Sequence, residues 1–454
     1  MDLGALNRRI AEVHRGRKWI ITPDVAAGAT KSVERLKEWG AEAVMVVAGM
    51  EGLGDLPPAD RTFYTRTSGT TMMEGIRAFQ ATLDTPSPEL LAAVDAFDPA
   101  GNARILDVGF LHMDGIEWRS PYGARHREWT ALEDKTTIDA LWDQAGIQTS
   151  PSRTVPVDSA PAAATGLANR HGTVWVADNS DGWHGGGEYT RWVRDPDDVA
   201  VAVEWFRGRA EKVRVMPFLD GLPCSIHAFI TPKGIAVFLP IEMVILRHTE
   251  RPAFLYAQAG NFWTPPQNIS RSMRDVARRV GSVLAEQYSY LGAFGIDGVC
   301  TAKGFLPTEL NPRVSTGHEI QARAADLPIA DLQRLTIEGD LSIDAEDLEE
   351  IVVTAARSRR HGGAILPLAD KYDDDATGFV FEAETVRAVS IDAPNDGTMH
   401  LGPSAFGSIV LIRFDPDSTP IGPSIAPHVL RAFSFAREYW DLDFPNLEAA
   451  PDLC

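Results

Sequence analysis

The predicted fold rests chiefly on one stretch, Gly295-Ile-Asp297-Gly-Val-Cys-Thr-Ala-Lys-Gly304-Phe-Leu-Pro-Thr-Glu309-Leu-Asn311-Pro-Arg313. Residues 296–301 are apolar and β-branched enough for a strand, residues 302–304 have the composition of a tight turn, and residues 305–310 can return as a second strand. Alternate side chains of a strand share a face, so Glu309 and Asn311 point the same way, and an antiparallel return can bring Asp297 opposite them. The stretch therefore predicts a hairpin that carries three oxygen donors on one face.

This donor set has the chemistry of a magnesium site. Magnesium prefers oxygen ligands and is usually held by one or two carboxylates together with substrate phosphates. Asp297, Glu309 and Asn311 are the candidate metal ligands, and Arg313 follows on the face of Asn311, where its guanidinium could bind a phosphate oxygen. An ordinary hairpin with surface charges is the alternative when these residues are considered alone.

Three upstream segments carry further candidates for binding a nucleotide. Lys135 stands near the start of a predicted helix that Gly146 ends. Residues 178–193 form a glycine-rich turn between two strand-like runs, and such a turn could fold its backbone amides over phosphates, although consecutive glycines also mark mobile hairpins. Residues 212–221 predict a strand that ends in a turn, where exposed backbone groups could contact a purine edge.

In this order the segments resemble the ATP-grasp superfamily of ligases, best over residues 130–325. The resemblance implies two small lobes that clamp ATP, with Asp297, Glu309 and Asn311 as magnesium ligands and Arg313 as the contact to a phosphate or acyl phosphate. It further implies that Lys135 is the first nucleotide-binding lysine. The remaining ATP contacts that it implies are the lid glycines Gly185, Gly186 and Gly187 and the hinge residues Met216, Phe218, Leu219 and Asp220.

The chain departs from the family pattern at two places. Ala177 stands where the family usually has a second lysine, and Arg191, His184 or Arg214 could supply the missing charge. The hinge glutamates of the family are also absent, with Met216 and Pro223 in their places; Asp220 or Ser225 could then bind the ribose.

Two other segments are candidates for the chemical centre and the substrate site. Glu242 and Arg247 interrupt an apolar strand, and buried charges normally have partners. Both are candidate catalytic residues, Arg247 for stabilising the transferring phosphoryl group or an oxyanion; an internal salt bridge between them is the alternative. Ser315, Thr316 and His318 directly follow Arg313 and are candidates for contacting the acyl group or the amine.

The fold class that follows is α/β and α+β. Residues 1–128 predict an open α/β domain, with a strand over 18–22, a helix over 29–39, a strand over 43–48 and a third strand candidate over 103–110. Residues 129–335 would form the two-lobed clamp with a lid around 170–210, and residues 336–454 a C-terminal α+β extension that completes the substrate site. In that extension, Phe433, Phe435 and Trp440 predict core packing or a subunit contact, which leaves a homodimer open.

Composition narrows the function further. The formal charge of −20 makes a nucleic acid an unsuitable partner, because binding its backbone requires clustered cations. Three cysteines without metal spacing predict neither a cysteine metal site nor a disulfide framework, and no apolar run is long enough for a membrane span or a secretory leader. We therefore expect a cytoplasmic protein that acts on small molecules.

The resemblance to the ATP-grasp superfamily implies an ATP-dependent ligase that joins a small carboxylate, an amino acid for example, to an amine through an acyl phosphate and releases ADP and phosphate. The expected cofactors are ATP and Mg²⁺, with Mn²⁺ as a substitute, and the expected partners are carboxylate and amine substrates such as amino acids or peptides. An ATP-grasp carboxylase, a nucleotide-biosynthesis ligase, and an ATP-binding sensor without turnover are the alternatives.

Overall fold

The computed structural model describes residues 2–67, 69, 71–107, 112–383, 385–404 and 407–453. It begins with a four-stranded parallel sheet in the order β3-β2-β1-β4. Apolar residues of α1 and α2 pack on one face of the sheet and those of α3 and α4 on the other, which explains why β1 and β2 are apolar throughout. The elements are α1 (Leu3–His14), β1 (Lys18–Thr22), α2 (Thr30–Glu38), β2 (Ala43–Ala48), β3 (Arg61–Tyr64), α3 (Met72–Asp84), α4 (Pro88–Phe97) and β4 (Arg104–Asp107).

This first sheet confirms the predicted strand, helix and strand over residues 18–48. The third predicted strand, over residues 103–110, corresponds to β4, and its residues 108–110 lie outside the described residues.

A second sheet forms a small antiparallel layer in the order β5-β8-β6-β7. Its strands place Trp175, Val213 and Val215 on one face, where they pack against helices α7 and α8. The other face is left for a cleft. The elements of this part are α5 (Arg127–Thr130), α6 (Ile138–Gln144), β5 (Arg153–Pro156), α7 (Ala160–Leu167), β6 (Thr173–Ala177), β7 (Thr190–Val193), α8 (Pro196–Phe206) and β8 (Lys212–Pro217).

A larger antiparallel sheet follows in the order β11-β10-β9-β12-β13. Its strand β9 alternates between two cores. Residues such as Cys224 and Ile226 face α9, whereas Phe229 faces α11 and α12. The elements are β9 (Leu222–Thr231), β10 (Gly234–His248), β11 (Phe254–Gly260), α9 (Gln267–Tyr288), β12 (Gly292–Thr301), β13 (Gly304–Asn311), α10 (Thr316–Arg323), α11 (Ile329–Glu338) and α12 (Ala345–Ser358).

The C-terminal part adds a five-stranded sheet in the order β14-β18-β17-β15-β16. Its apolar face packs on helix α13, in which Phe433 is buried, so this aromatic residue belongs to the core. The final strand pairs with β10 of the larger sheet. The elements are β14 (Gly363–Leu368), β15 (Asp375–Phe381), β16 (Val386–Val389), β17 (Gly397–Ser404), β18 (Gly407–Phe414), α13 (Ala426–Trp440) and β19 (Leu447–Ala449).

Two general expectations can be compared with these elements. Within the described ranges, none of the helices combines the length and apolarity needed to cross a membrane. Cys224 is a free, buried thiol, whereas Cys300 is disulfide-bonded.

Candidate active site

The hairpin predicted from the opening stretch is present as β12 and β13. Asp297 lies directly opposite Glu309, and Gly295 lies opposite Asn311 in the antiparallel register. The turn closes at Gly304, whose φ of 110° favours glycine because a Cβ is strained in that conformation. The three predicted oxygen donors are therefore on one face of the hairpin.

The Asp297 carboxylate is held from both sides. Ser225 Oγ donates a hydrogen bond of 2.6 Å to Oδ1, and Asn311 Nδ2 donates one of 2.9 Å to Oδ2. Burial and the neighbouring charge of Glu309 raise the pKa of Asp297 to about 6. Two close carboxylates repel each other, so a cation between them would be stabilised.

The donor set fits magnesium in its chemistry. The candidate ligands Asp297, Glu309 and Asn311 supply two carboxylates and one amide. Among the described residues, no group of three or more His, Cys, Asp and Glu side chains is placed to hold a metal. Such hard oxygen donors suit magnesium when substrate phosphates complete its shell. The Asn311 amide oxygen accepts a hydrogen bond of 2.9 Å from Arg313 Nη2, so it is already engaged.

Lys135 joins this hairpin from a distant part of the sequence. It lies in the turn before α6, is only 9% exposed, and places Nζ 3.0 Å from Glu309 Oε1. The structure thus brings together the predicted nucleotide-binding lysine and a predicted metal ligand.

Glu133 is a functional candidate that sequence reasoning missed. Its buried carboxylate accepts hydrogen bonds from Arg313 Nε at 3.2 Å, from Trp183 Nε1 at 2.7 Å and from Arg125 Nη2. Burial opposes ionisation, but the charges of Arg313 and Arg125 lower the pKa of Glu133. The only sequence signal was its position two residues before Lys135.

The predicted glycine loop between β6 and β7 packs against the first sheet's helix α3. Gly186 and Gly187 have positive φ angles of 58° and 78°. Arg77 of α3 donates to the Trp183 carbonyl at 3.2 Å and to Glu188 Oε2 at 2.9 Å. The loop is therefore anchored at one end by Glu133 and at the other by α3.

The pairing of β6 with β8 decides which cation faces the cleft. Ala177 pairs with Val213 and is fully buried in the core against α7 and α8, whereas Val176 pairs with Arg214 on the opposite face. Arg214 reaches across the cleft, donating to the Thr308 carbonyl at 3.3 Å and to both oxygens of Asp139.

The two other cations considered for that charge are placed differently. Arg191 pairs with Trp175 on the helix-packed face, and its guanidinium lies 3.4 Å from the centre of the Trp205 ring. Burial lowers the pKa of Arg191 to about 10. His184 stacks on Tyr189, and burial followed by the charge of Lys135 lowers its pKa to about 3, so it is neutral near pH 7. Of these three residues, Arg214 is the cation whose strand position faces the cleft.

The hinge after β8 is joined to Arg247. Phe218 stacks with Trp192 at 4.6 Å, and the Arg247 guanidinium lies 4.8 Å from the Phe218 ring. Asp220 Oδ1 accepts a hydrogen bond of 3.0 Å from Arg247 Nη2. Arg247 thus pairs with Asp220, and the alternative salt bridge to Glu242 is not formed.

Glu242 lies apart from this cluster. It pairs in register with Cys224, whereas Ser225 pairs with Asp297, so the side chain of Glu242 is on the opposite face of the sheet. Its carboxylate accepts hydrogen bonds from Ser424 Oγ and from the backbone N–H groups of Ile425 and Ala426 at the start of α13. Burial raises the pKa of Glu242 to about 7. These contacts give Glu242 a structural role.

The candidate substrate residues after Arg313 divide into two kinds. Ser315 and Thr316 are partly exposed at the start of α10. His318 is fully buried, accepts the Ser315 N–H at Nδ1 (3.2 Å) and places Nε2 3.1 Å from the Ala228 carbonyl. Burial lowers the pKa of His318 to about 4. His318 therefore caps the helix together with Ser315, whose Oγ lies 3.1 Å from His318 Nδ1, and Thr316 forms a side-chain hydrogen bond with Tyr256.

Comparison with known proteins gives structural matches only. No protein-family model matches the chain, and no curated protein matches its sequence. A biotin carboxylase–β,γ-ATP complex from Campylobacter jejuni matches with a TM-score of 0.59 at 12% identity, over 96% of this chain and 93% of that chain. L-amino acid ligase from Bacillus licheniformis matches with a TM-score of 0.51 at 13% identity, over 96% and 98%. The ADP complex of N5-carboxyaminoimidazole ribonucleotide synthetase matches with a TM-score of 0.50 at 14% identity, over 94% and 97%.

At these identities the similarity concerns the fold. It extends over nearly the whole chain in each case, including the first sheet and the C-terminal sheet as well as the cleft. The resemblance drawn from the opening hairpin is thereby confirmed at the level of the fold: the chain has the ATP-grasp fold.

Proposed function

We propose that this chain is an ATP-dependent ligase that joins a small carboxylate to an amine through an acyl phosphate, releasing ADP and phosphate. The observation that carries the proposal is that Lys135 meets Asp297, Glu309 and Arg313 of the β12–β13 hairpin in one cleft. Cations and carboxylates in this arrangement suit a polyphosphate with its metal.

In the proposed reaction a substrate carboxylate oxygen attacks the γ-phosphorus of ATP, and the bond to the β,γ-bridging oxygen breaks, which gives ADP and an acyl phosphate. The amine nitrogen then attacks the acyl carbon, loses a proton, and displaces phosphate. Charge builds up on oxygens in both steps, so fixed cations aimed at them lower the barriers.

The residues of the cleft have distinct proposed roles. Lys135 and Arg214 bind the ATP phosphates, and Arg214 takes the place of the missing lysine because it faces the cleft beside Val176. Arg313 binds the phosphoryl group in transfer. Asp297, Glu309 and the Asn311 oxygen would hold Mg²⁺, or Mn²⁺ in its place, which when bound screens the phosphate charges.

Around these, the hinge residues Met216, Phe218 and Leu219 are proposed to contact adenine, and Gly185, Gly186 and Gly187 the phosphates. Arg247 is held by Asp220 beside the hinge, which suits a role near the nucleotide. Ser315 and Thr316 are proposed to contact the acyl group or the amine. We retain residues 1–128, 129–335 and 336–454 as the proposed domains, and the cytoplasm as the proposed location.

We propose an amino acid as the carboxylate because one structure of this fold is that of an L-amino acid ligase. Bicarbonate is the second candidate, since two of the matched structures are named for carboxylation chemistry. The two candidates predict different products from one assay.

The test is an incubation with ATP, Mg²⁺ and pools of amino acids, with a parallel arm containing bicarbonate and amines. ADP, phosphate and an amide product support the ligase; carboxylated products identify the second candidate. AMP with pyrophosphate contradicts the acyl phosphate, and tight ATP binding without turnover in either arm identifies a sensor. Glu309→Ala should abolish turnover, whereas Glu286→Ala, at an exposed position of α9, should not.

A further inference from the structure

The buried carboxylate of Glu133 contacts two parts of the molecule that have to act together. On one side it accepts the Nε–H of Arg313 at 3.2 Å, and on the other the Nε1–H of Trp183 at 2.7 Å. Arg313 follows the metal-binding hairpin, whereas Trp183 belongs to the glycine loop between β6 and β7. One side chain thus contacts both the floor and the lid of the cleft.

The charged neighbours of Glu133 restrict the orientation of the Arg313 side chain. The Glu133 carboxylate lies between two guanidinium groups, Arg125 and Arg313, so the three side chains together carry one net positive charge. Hydrogen bonds to ionised partners are strong and directional, which restricts the orientation of the Arg313 fork.

The same short segment also supplies Lys135. Glu133 ends a short 3-10 turn, and two residues later Lys135 contacts Glu309. A displacement of this segment would therefore move the contacts to Arg313 and to Glu309 at once. Such a shared segment can transmit the position of the lid to both groups.

The lid has a second anchor that does not involve the cleft. Arg77 of α3 donates hydrogen bonds to Glu188 from Nη1 and Nη2 and to the Trp183 carbonyl from Nη1. Trp183 is therefore fixed by its backbone to α3 and by its indole to Glu133. The indole N–H is linked to Arg313 through Glu133, and the Arg313 guanidinium also lies 5.9 Å from the centre of the Trp183 ring.

We propose that Glu133 is a positioning residue that couples the seating of Trp183 to the orientation of Arg313. The coupling rests on the proposed function for its catalytic consequence, because Arg313 acts on the phosphoryl group only in that reaction. With Trp183 seated, Glu133 holds Arg313 in the orientation that binds the acyl phosphate. When the lid lifts, one of the three donors to Glu133 is lost, and Arg313 and Arg125 share the carboxylate alone.

Two substitutions test the coupling, each with a matched control. Trp183→Phe keeps the aromatic ring and removes the indole N–H, and Trp118→Phe controls for it at a site that is 63% exposed. Glu133→Gln keeps the shape and removes the charge, and Glu128→Gln controls for it at an exposed position of α5. We expect kcat to fall about 10-fold in Trp183→Phe and about 100-fold in Glu133→Gln, with KM for ATP within about 3-fold of the wild-type value.

A second readout does not depend on catalysis. Hydrogen exchange of residues 180–189 in the protein without nucleotide should be faster in Trp183→Phe and Glu133→Gln than in the wild type and the two controls. A rate of hydrogen exchange in Trp183→Phe equal to that of the wild type would overturn the coupling, even if Glu133→Gln fails to fold. A variant whose KM for ATP rises while its kcat is unchanged would also overturn it. If exchange is faster but the wild-type protein turns over no ATP, the contact between lid and Glu133 stands and the proposed ligase function fails.

Discussion

Lys135 and Glu309 form an ion pair of 3.0 Å across the cleft, although one precedes α6 and the other lies on β13. The pair neutralises a carboxylate that we propose as a metal ligand, so metal and nucleotide would have to rearrange it on binding. The ammonium group would then be released to the phosphates. We therefore expect Lys135 to exchange Glu309 for a phosphate oxygen when the metal and the nucleotide bind.

Replacement of Lys135 by methionine should weaken ATP binding. The change removes a charged hydrogen-bond donor worth about 1.5–3 kcal/mol, which corresponds to a roughly 10- to 100-fold rise in Kd for ATP. Calorimetric titration with ATP and Mg²⁺ measures the effect. Lys212→Met, at an exposed position of β8, serves as the control, and equal affinities of the two variants would contradict the assignment of Lys135.

Arg214 and Arg191 should differ when each is replaced. Arg214→Lys keeps a positive charge but loses the bidentate contact to Asp139 and the hydrogen bond to the Thr308 carbonyl. We therefore expect ATP affinity to fall roughly 10-fold. Arg191→Met should leave affinity unchanged and lower the melting temperature, because its guanidinium packs on Trp205. Measurements of ATP affinity and of thermal unfolding on both variants distinguish a nucleotide-binding role from a structural role. If only Arg191→Met lost ATP affinity, Arg191 and not Arg214 would be the nucleotide-binding residue.

Glu242 should matter for stability and not for turnover. Alanine at this position leaves Ser424 Oγ and the Ile425 N–H without their acceptor, and the Ala426 N–H keeps only Ser424 Oγ. We expect a loss of about 2–4 kcal/mol in the free energy of unfolding. Ser424→Ala, which removes one of these contacts, should cost about 1 kcal/mol. Urea unfolding gives both values, and a kcat reduced more than about 10-fold in folded Glu242→Ala would restore its catalytic role.

His14 should make the protein lose stability in mild acid. Its ring is fully buried between Trp19 and Trp39, and burial lowers its pKa from 6.5 to about 4. Since the unfolded chain binds the proton more tightly, the free energy of unfolding falls as the pH drops from 6.5 to about 4, by up to about 3 kcal/mol from this group. Asp331 opposes the shift, while Arg334 and Arg17 add to it.

The measurement is urea unfolding between pH 7 and pH 4. His14→Phe keeps an aromatic ring that cannot ionise, so its stability should depend less steeply on pH than that of the wild type. His126→Phe is the control, because His126 is an exposed ring stacked on Trp129. Parallel pH profiles for His14→Phe and the wild type would show that His14 does not contribute.

The opening hairpin could be predicted because its information is local. Strand alternation and a glycine turn are properties of neighbouring residues, and they placed Asp297 opposite Glu309 correctly. The β-α-β start of the chain is predictable for the same reason. Lys135 was assigned to the nucleotide site only through family resemblance, and its ion pair with Glu309 was not predicted, since no local pattern relates a turn before α6 to a strand so far along the chain.

The face of a strand that a residue occupies could not be predicted from the sequence. Ala177, at the position matched to a family lysine, lies on the face of β6 that packs against α7 and α8. The interruption of an apolar strand at Glu242 correctly indicated a buried charge with partners. Those partners lie in the C-terminal helix, whose position no sequence pattern revealed. The Cys300 disulfide is likewise a tertiary property that spacing did not reveal.

The pairing of Val176 with Arg214 bears on how relatives of this chain could be identified. A search pattern that demands a lysine in the strand before the glycine loop passes over any protein in which that cation comes from the adjacent strand. Because the Cβ atoms of paired residues on neighbouring strands lie only about 5 Å apart, a cation can move from one strand to the other with a small displacement of the charge. A pattern written for a cation at either of the two paired positions would recover such proteins even when their overall sequence identity is low.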